Sequence, residues 1–472
     1  MENIIDDLLL RLEPEFGKKK IDSLKLLYRI GDEERKERIL KIASLSAKKL
    51  INDNLLNNQV LLPPSTKTEC EGKKQIYTGT VCYGKDMSGK DRQLYPLYLN
   101  FEDIKNHILI TGLSGTGKTT LGYNLLIELA KKNKRCIIFD WDRTWRNFLS
   151  LDKEGYPFIN DIRVFTIGRN DIAPFSWNMF FNPPPNVKFS NWLGIASGKP
   201  LQKSLFSGQG VVDYLENISE ELMESYQKGL RQLLPNMQDI KMKIQSRFAK
   251  ARQLLWKQSA ERVLKELTRE SMREVFGSRE PIDISKEILE RDGVTIIEMD
   301  IETPDHLRVL FQELLLNYFM LYYLHKGEVE KEHLETAIFL EEFPNMLPKS
   351  QIEMSVGGEI INKLFKEGRK FGLGLISLCQ ESSDLPNAVM ANSKCQFNFA
   401  AQTKKDIEAT ASSMFLKKHE IHFLDYIWQG ECFAKVKGRV KNCLVKIPAS
   451  PIKGKITDEE LKEKMKKWKN QN

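Results

Sequence analysis

Apolar residues recur at helical spacing over residues 1–60: Ile4, Ile5, Leu8, Leu9 and Leu12, then Leu24, Leu27 and Ile30, then Ile39, Leu40, Ala43, Leu50 and Ile51. Gly17 and Gly31 separate these runs, which predicts a small helical segment, either a cap or a partner-docking element. Pro63-Pro64 and the polar run to Lys74 read as a linker. Residues 75–100 alternate and turn, with Ser88-Gly89-Lys90-Asp91 as a hairpin turn, so a β-ribbon is expected. From His107 onward, short apolar runs alternate with helical stretches. The runs at 108–110, 135–140, 163–167, 293–300 and 336–342, and one ending at Gln380, predict buried strands of a parallel sheet.

Residues 187–290 interrupt this alternation. They are polar, helix-prone and rich in Lys and Glu, and read as a helical insertion. Beyond them, LRVLFQELLLNYFMLYYLH carries Leu307, Leu310, Phe311, Leu314, Leu315, Tyr318 and Phe319 on one broad stripe. Arg308, Gln312, Glu313 and Asn317 lie inside that stretch, which favours packing against a sheet over membrane insertion. The expected organisation is a helical segment at 1–60, a linker and ribbon at 61–106, and an α/β core at 107–186 and 291–450. A helical insertion at 187–290 splits the core, and a charged tail follows at 451–472.

Composition narrows the class. A chain of 472 residues with 41% hydrophobic and 29% charged content suits a globular protein of two or three domains. No apolar run approaches the roughly 20 residues of a membrane span, and the acidic N-terminus lacks a secretory pattern. The seven cysteines are scattered without a C-x-x-C pair, which points to a reducing cytoplasm and away from disulfides or a zinc module. His419 and His422 fit a surface helix turn better than a metal site. A net charge of +8 permits a polyanionic partner without requiring one.

The candidate chemistry starts at HILITGLSGTGKTTL. The apolar strand breaks at Gly112 and gives G-x-x-x-x-G-K-[ST], ending Gly117-Lys118-Thr119, with a helical sequence after it. Glycines let such a loop wrap tightly, so that backbone N–H groups point at phosphate oxygens. Gly112, Ser114, Gly115, Thr116, Gly117, Lys118, Thr119 and Thr120 are therefore the expected nucleoside triphosphate-binding set. Lys118 would neutralise the β/γ-phosphates, Thr119 would place its hydroxyl on Mg²⁺, and the helix would offer its positive end to the same anion.

Acids at the ends of buried strands complete the pattern. Asp140 and Asp142 follow the second strand, on the ligand side of an open α/β sheet, and either contact the nucleotide site or cap a helix. Glu341 and Glu342 end the strand at 336–340, where Glu341 would hold the Mg²⁺ shell and Glu342 would polarise the attacking water. Gln380, at the end of a further strand, suits sensing the γ-phosphate or orienting water. Arg369, just before that strand, either reaches a triphosphate on another subunit or makes a surface salt bridge. In the insertion, Lys243, Arg247 and Lys250 fall at i, i+4 and i+7, with Ile244, Phe248, Ala251 and Leu255 on the adjoining face. This is either a solvated amphipathic face or a contact to a DNA backbone.

Taken together, these pieces resemble the HerA/FtsK clade of P-loop ATPases, and HerA-like translocases most closely. HILITGLSGTGKTT, the strand ending FDWD, FSWN…NPPP, AIFLEEFPNML, EGRKFGLGLISLCQESSDLP, SKCQFNFAAQT and GECFAKVKGRVKNCLVKIP carry the resemblance over roughly residues 75–450. It implies a RecA-like α/β core, ATP and Mg²⁺ as cofactors, and a hexameric ring that moves DNA through its centre. It also implies that Arg369 acts in trans and that Glu342 and Gln380 attend the γ-phosphate. Motors of this kind commonly serve a nuclease or other effector, in DNA end processing or anti-phage defence. Two departures stand out. The first 60 residues look helical where many relatives carry a β-barrel, and Thr144 stands where relatives have a Glu after the second strand. The rival class is a nucleotide-sensing scaffold ATPase that assembles an effector without moving DNA. A conjugative-type pump is disfavoured by the lack of a visible membrane segment.

Overall fold

The computed structural model describes residues 2–56, 60, 62–85, 91–248, 251–342, 359–401 and 403–471. Its strands, in chain order, are β1 (Ile76–Lys85), β2 (Asp91–Leu99), β3 (Ile108–Thr111), β4 (Arg135–Asp140), β5 (Ile162–Ile167), β6 (Val294–Met299), β7 (Thr336–Leu340), β8 (Leu373–Cys379), β9 (Cys395–Asn398), β10 (Glu431–Val436) and β11 (Val440–Lys446). The chain divides into two compact units, each assembled from non-contiguous stretches.

The first unit comprises residues 1–128, 378–383 and 393–450. It opens with helices Glu2–Phe16, Lys18–Ile30 and Glu33–Leu56, broken where the glycines stand. Gly17 sits at φ 75°, a left-handed conformation that suits glycine. Ile5, Leu9, Leu12, Ile21, Tyr28, Ala43 and Ala47 form a shared core. The second helix departs from its expected stripe, because it buries Ile21 and Tyr28 and leaves Leu27 and Ile30 48% and 71% exposed. The side chains of Ile4, Leu50 and Ile51 lie outside the described set.

Residues 62–74, expected as a linker, instead pack. A short helix at Lys67–Glu71 carries a capping box between Thr66 and Glu69, and Leu62 and Cys70 are buried. Antiparallel β1 and β2 form the expected ribbon, while residues 88–90 of its hairpin turn lie outside the described residues. Within this unit the strand order is β2-β1-β11-β10-β9-β3, antiparallel except for the parallel pair β9–β3.

The second unit comprises residues 129–377, 384–392 and 451–472. Its strands run in the order β8-β7-β4-β6-β5, all parallel, and their near-continuous burial matches the apolar runs in sequence. The helix Asp305–Lys326 buries its whole expected stripe, including Leu307, Phe311 and Tyr318. Phe175 and Trp177 of the FSWN segment meet Phe311 edge-on at 5.1 and 6.1 Å, a favoured aromatic geometry. Among the described residues, no helix is long and apolar enough to cross a membrane.

Described residues between 187 and 290 that form regular structure are helical, which is the expected insertion. Its basic stretch departs from expectation. One helix ends at Ser246, Arg247 is already extended, and a second helix starts at Ala251. Lys243 and Arg247 therefore do not share a helical face, Phe248 is 92% exposed, and Lys250 lies outside the described residues. The C-terminal stretch, expected as a charged tail, forms the helix Asp458–Gln471 and buries Leu461 and Met465.

Candidate functional site

In the first unit, the phosphate loop leaves β3 through three glycines in left-handed conformations: Gly112 at φ 140°, Gly115 at 76° and Gly117 at 124°. At Gly112 the space is also closed, since a Cβ there would lie 2.5 Å from the Cβ of Phe399. The loop is held from several sides. Leu113 donates its N–H to the Ala400 carbonyl at 3.0 Å, Gly430 donates to the Thr116 carbonyl at 2.9 Å, and Gln429 Nε2 donates to the Gly115 carbonyl at 3.0 Å. Lys118 is buried, and its Nζ donates to the Leu113 carbonyl at 2.9 Å, which aims the ammonium into the loop's concavity.

This cradle fits a polyphosphate. Among the described residues, the N–H groups of Ser114, Gly115 and Gly117 donate to no backbone carbonyl. The helix Lys118–Lys131 begins there, so the N–H groups of Lys118, Thr119 and Thr120 are first-turn donors. Six donors and one ammonium thus converge on a loop whose Ser114 and Gly115 are exposed.

In the second unit, β7 pairs with β4 in parallel register, with Leu340 opposite Phe139. The next residue on each strand is an acid. Asp140 and Glu341 are both buried, and their carboxyls lie within hydrogen-bonding reach of each other. Burial pushes both up, and the Asp140 charge raises Glu341 further, well above the usual carboxylate range. Asp140 also accepts N–H bonds from Thr144 at 3.2 Å and Trp145 at 2.9 Å, capping the 3₁₀ turn Trp145–Ser150. Of its two expected roles, the cap is therefore present. Asp142 is exposed. Among the described residues, Oε2 of Glu341 accepts no hydrogen bond, and a buried carboxylate oxygen without a donor suits a cation or its bound water.

Glu342 is half-buried at φ 46°, a left-handed conformation rare for a residue with a Cβ. Arg369 is exposed on the turn Gly368–Phe371 that precedes β8, and among the described residues no ion pair engages its guanidinium. Gln380 follows β8 and is exposed. In the insertion, Lys243 and Arg247 reach Glu221 at 3.7 and 3.1 Å, so the two cations share one carboxylate.

Sequence reasoning missed the residues that hold the loop: Phe399, Ala400, Gln429 and Gly430. Phe399, Ala400 and Gly430 lie in stretches that carry the family resemblance, but residue type marks no role there, because the contribution is a backbone group, a side-chain amide or a close approach. The partnership of Asp140 and Glu341 follows from β4 and β7 being neighbours, which strand order in the sequence does not show.

A parallel sheet with a glycine-rich phosphate loop between strand and helix, and acids on neighbouring strand ends, defines a P-loop ATPase of RecA-like α/β fold. The chain belongs to the family described as Helicase HerA, central domain, whose model matches residues 78–324. No curated protein matches it. Among solved structures, VirB4 of Thermoanaerobacter pseudethanolicus shares the fold at TM-score 0.57 and 16% identity, over 79% of this chain and 97% of that one. The plasmid coupling protein TrwB in complex with ADP and Mg²⁺ aligns at TM-score 0.56 and 12% identity, over 85% of this chain and 96% of that one. TrwB with the GTP analogue GDPNP aligns at TM-score 0.56 and 12% identity, over 85% and 97%. The HerA-type assignment places the protein in a DNA-translocase family.

Proposed function

We propose that this protein is an ATP-driven, ring-forming DNA translocase or helicase that works in the cytoplasm with a nuclease or other effector, in DNA end processing or anti-phage defence. The observation that carries the ATP-driven part is the phosphate loop, with its open N–H donors, its buried Lys118 and its fit to a triphosphate. TrwB is named with ADP and Mg²⁺, and Thr119 and Glu341 are the groups of this chain suited to the same ion. Bound Mg²⁺ would neutralise phosphate charge. Lys118 binds the β/γ-phosphates, Glu342 orients and deprotonates the attacking water, and Gln380 senses the γ-phosphate. Arg369, exposed and without an ion pair among the described residues, serves the triphosphate of a neighbouring subunit in a hexamer. DNA is held chiefly through its phosphates, so affinity falls steeply with salt.

One observation favours the scaffold alternative, a nucleotide-sensing ring that assembles an effector without moving DNA. Lys243 and Arg247 share the Glu221 carboxylate, which offsets one of their two charges, so the insertion offers less free positive charge than its sequence promises. ATPase assays with and without DNA, combined with particle-mass measurement, separate the readings. DNA stimulation of a hexamer supports the motor, and turnover indifferent to DNA supports the scaffold.

A further inference from the structure

A cavity of about 560 Å³ in the second unit has Trp141, Asp142, Arg143, Arg146, Arg308 and Lys455 in its wall. It lies beyond the carboxyl ends of β4 and β6, where open α/β sheets take their ligands. Its size falls within the roughly 300–1,000 Å³ of small-molecule pockets. Four of its lining residues are cationic and one is acidic.

At its edge stands an arrangement with more donors than its acceptor needs. Asp458, the first residue of the C-terminal helix, takes Arg143, Arg146 and, at 3.2 Å, Arg169 on one carboxylate. Burial alone would raise this acid, yet the hydrogen bond from Arg146 and the charges of Arg143 and Arg146 hold it below the usual range. Arg143 adopts φ 59° to reach this position, a left-handed conformation that a β-carbon disfavours. Arg308, buried on the cavity wall, stacks its guanidinium 4.2 Å from the Trp141 ring and bonds Asp305, while among the described residues its Nε has no partner. Each guanidinium also meets an acid of its own, Glu298 on Arg146, Asp300 on Arg143, Asp171 on Arg169 and Asp305 on Arg308, and exposed Asp142 lines the cavity.

From this we infer that the cavity is a binding site for a phosphate ester, and that the Asp458 carboxylate occupies its anion position until a phosphate displaces it. Three guanidiniums suit the three terminal oxygens of a phosphate better than the two of a carboxylate. Lys455 supplies a further cation on the open side, and the volume leaves room for the esterified group. Leu461 and Met465 anchor the helix Asp458–Gln471, Leu461 within its first turn, so displacing the Asp458 carboxylate is a side-chain rearrangement that leaves the helix docked. None of the lining residues belongs to the phosphate loop, so the inference does not depend on the nucleotide reading of that loop.

The test is equilibrium dialysis of labelled pyrophosphate with the full-length chain carrying Lys118→Ala, so that the phosphate loop is disabled. Adding Asp458→Asn removes the internal competitor and should tighten binding roughly tenfold, while Lys455→Glu should weaken it by a similar factor. Displacement by AMP would identify a free phosphate ester as the ligand. Displacement by a short 5′-phosphorylated oligonucleotide but not by AMP would identify a terminal nucleic-acid phosphate instead. Lys455 is exposed, so its variant keeps the test open if Asp458→Asn fails to fold. Absence of saturable binding, or binding indifferent to Lys455→Glu, overturns the site, whatever the ATPase activity of the unmodified chain.

Discussion

Gln429 donates its side-chain amide to the Gly115 carbonyl at 3.0 Å, across 314 residues of chain. The tip of the phosphate loop is therefore fixed by the turn that leads into β10, and the loop's shape depends on the last strands of the first unit. Removing this one exposed hydrogen bond should cost about 1 kcal/mol of loop order. Gln429→Ala is expected to raise the KM for ATP roughly fivefold with little change in kcat, since phosphate binding relaxes while the chemical groups stay in place. Steady-state kinetics check this, and a fall in kcat at constant KM would place Gln429 elsewhere in the cycle.

Gly112 is confined by both conformation and space. At φ 140° with Phe399 closing over it, Gly112→Ala forces the loop away from β9 and should destabilise the first unit by about 3 kcal/mol. Thermal unfolding should show this as a lower melting temperature. Gly115→Ala meets no atom within 4 Å, so its loss is confined to backbone strain at φ 76° and should be smaller.

Much of this architecture is legible in the chain. The apolar runs gave the strands of the parallel sheet at nearly their observed ends, and the loop from Gly112 to Thr119 marks itself by spacing alone. Elsewhere periodicity misled for identifiable reasons. Around Arg247 no Gly or Pro signals a helix end, and the break is held by Lys257, whose Nζ binds the carbonyls of Gln245 and Arg247 at 3.2 and 3.0 Å. The terminal helix reads as solvated charge because its docking rests on Asp458 and two apolar residues. The pairing of Asp140 with Glu341 depends on which strands are neighbours, and that information is not local.

Glu313 links burial to pH. It is buried on the helix Asp305–Lys326, and desolvation, opposed by the charge of Lys203, pushes it up from 4.5 to about 7. A carboxyl raised in the folded state binds more protons there than when unfolded. Its contribution is therefore fullest below pH 4.5 and is lost as pH rises toward 7. Glu313→Gln should remove that loss and leave the variant more stable at pH 8 by on the order of 3 kcal/mol. Denaturant unfolding at pH 5 and pH 8 checks it, and an unchanged pH slope in the variant would contradict the assignment.

Arg369 is exposed on the turn before β8, where its side chain is available to another subunit. Lys118→Ala and Arg369→Ala should each be inactive alone. Mixed, they should recover part of the activity, because some interfaces then pair an intact phosphate loop with an intact arginine. Mixed rings that form yet stay inactive would place Arg369 in its own subunit's chemistry or in structure.

Movement along DNA driven by ATP hydrolysis is read out by triplex displacement. The unmodified protein should strip a third strand from duplex DNA in the presence of ATP and Mg²⁺. Glu342→Gln, which retains nucleotide binding but should hydrolyse at least about 100-fold more slowly, should leave the triplex intact over the same interval. Equal displacement by both proteins, or ATP hydrolysis by the unmodified protein without any displacement, would contradict the account.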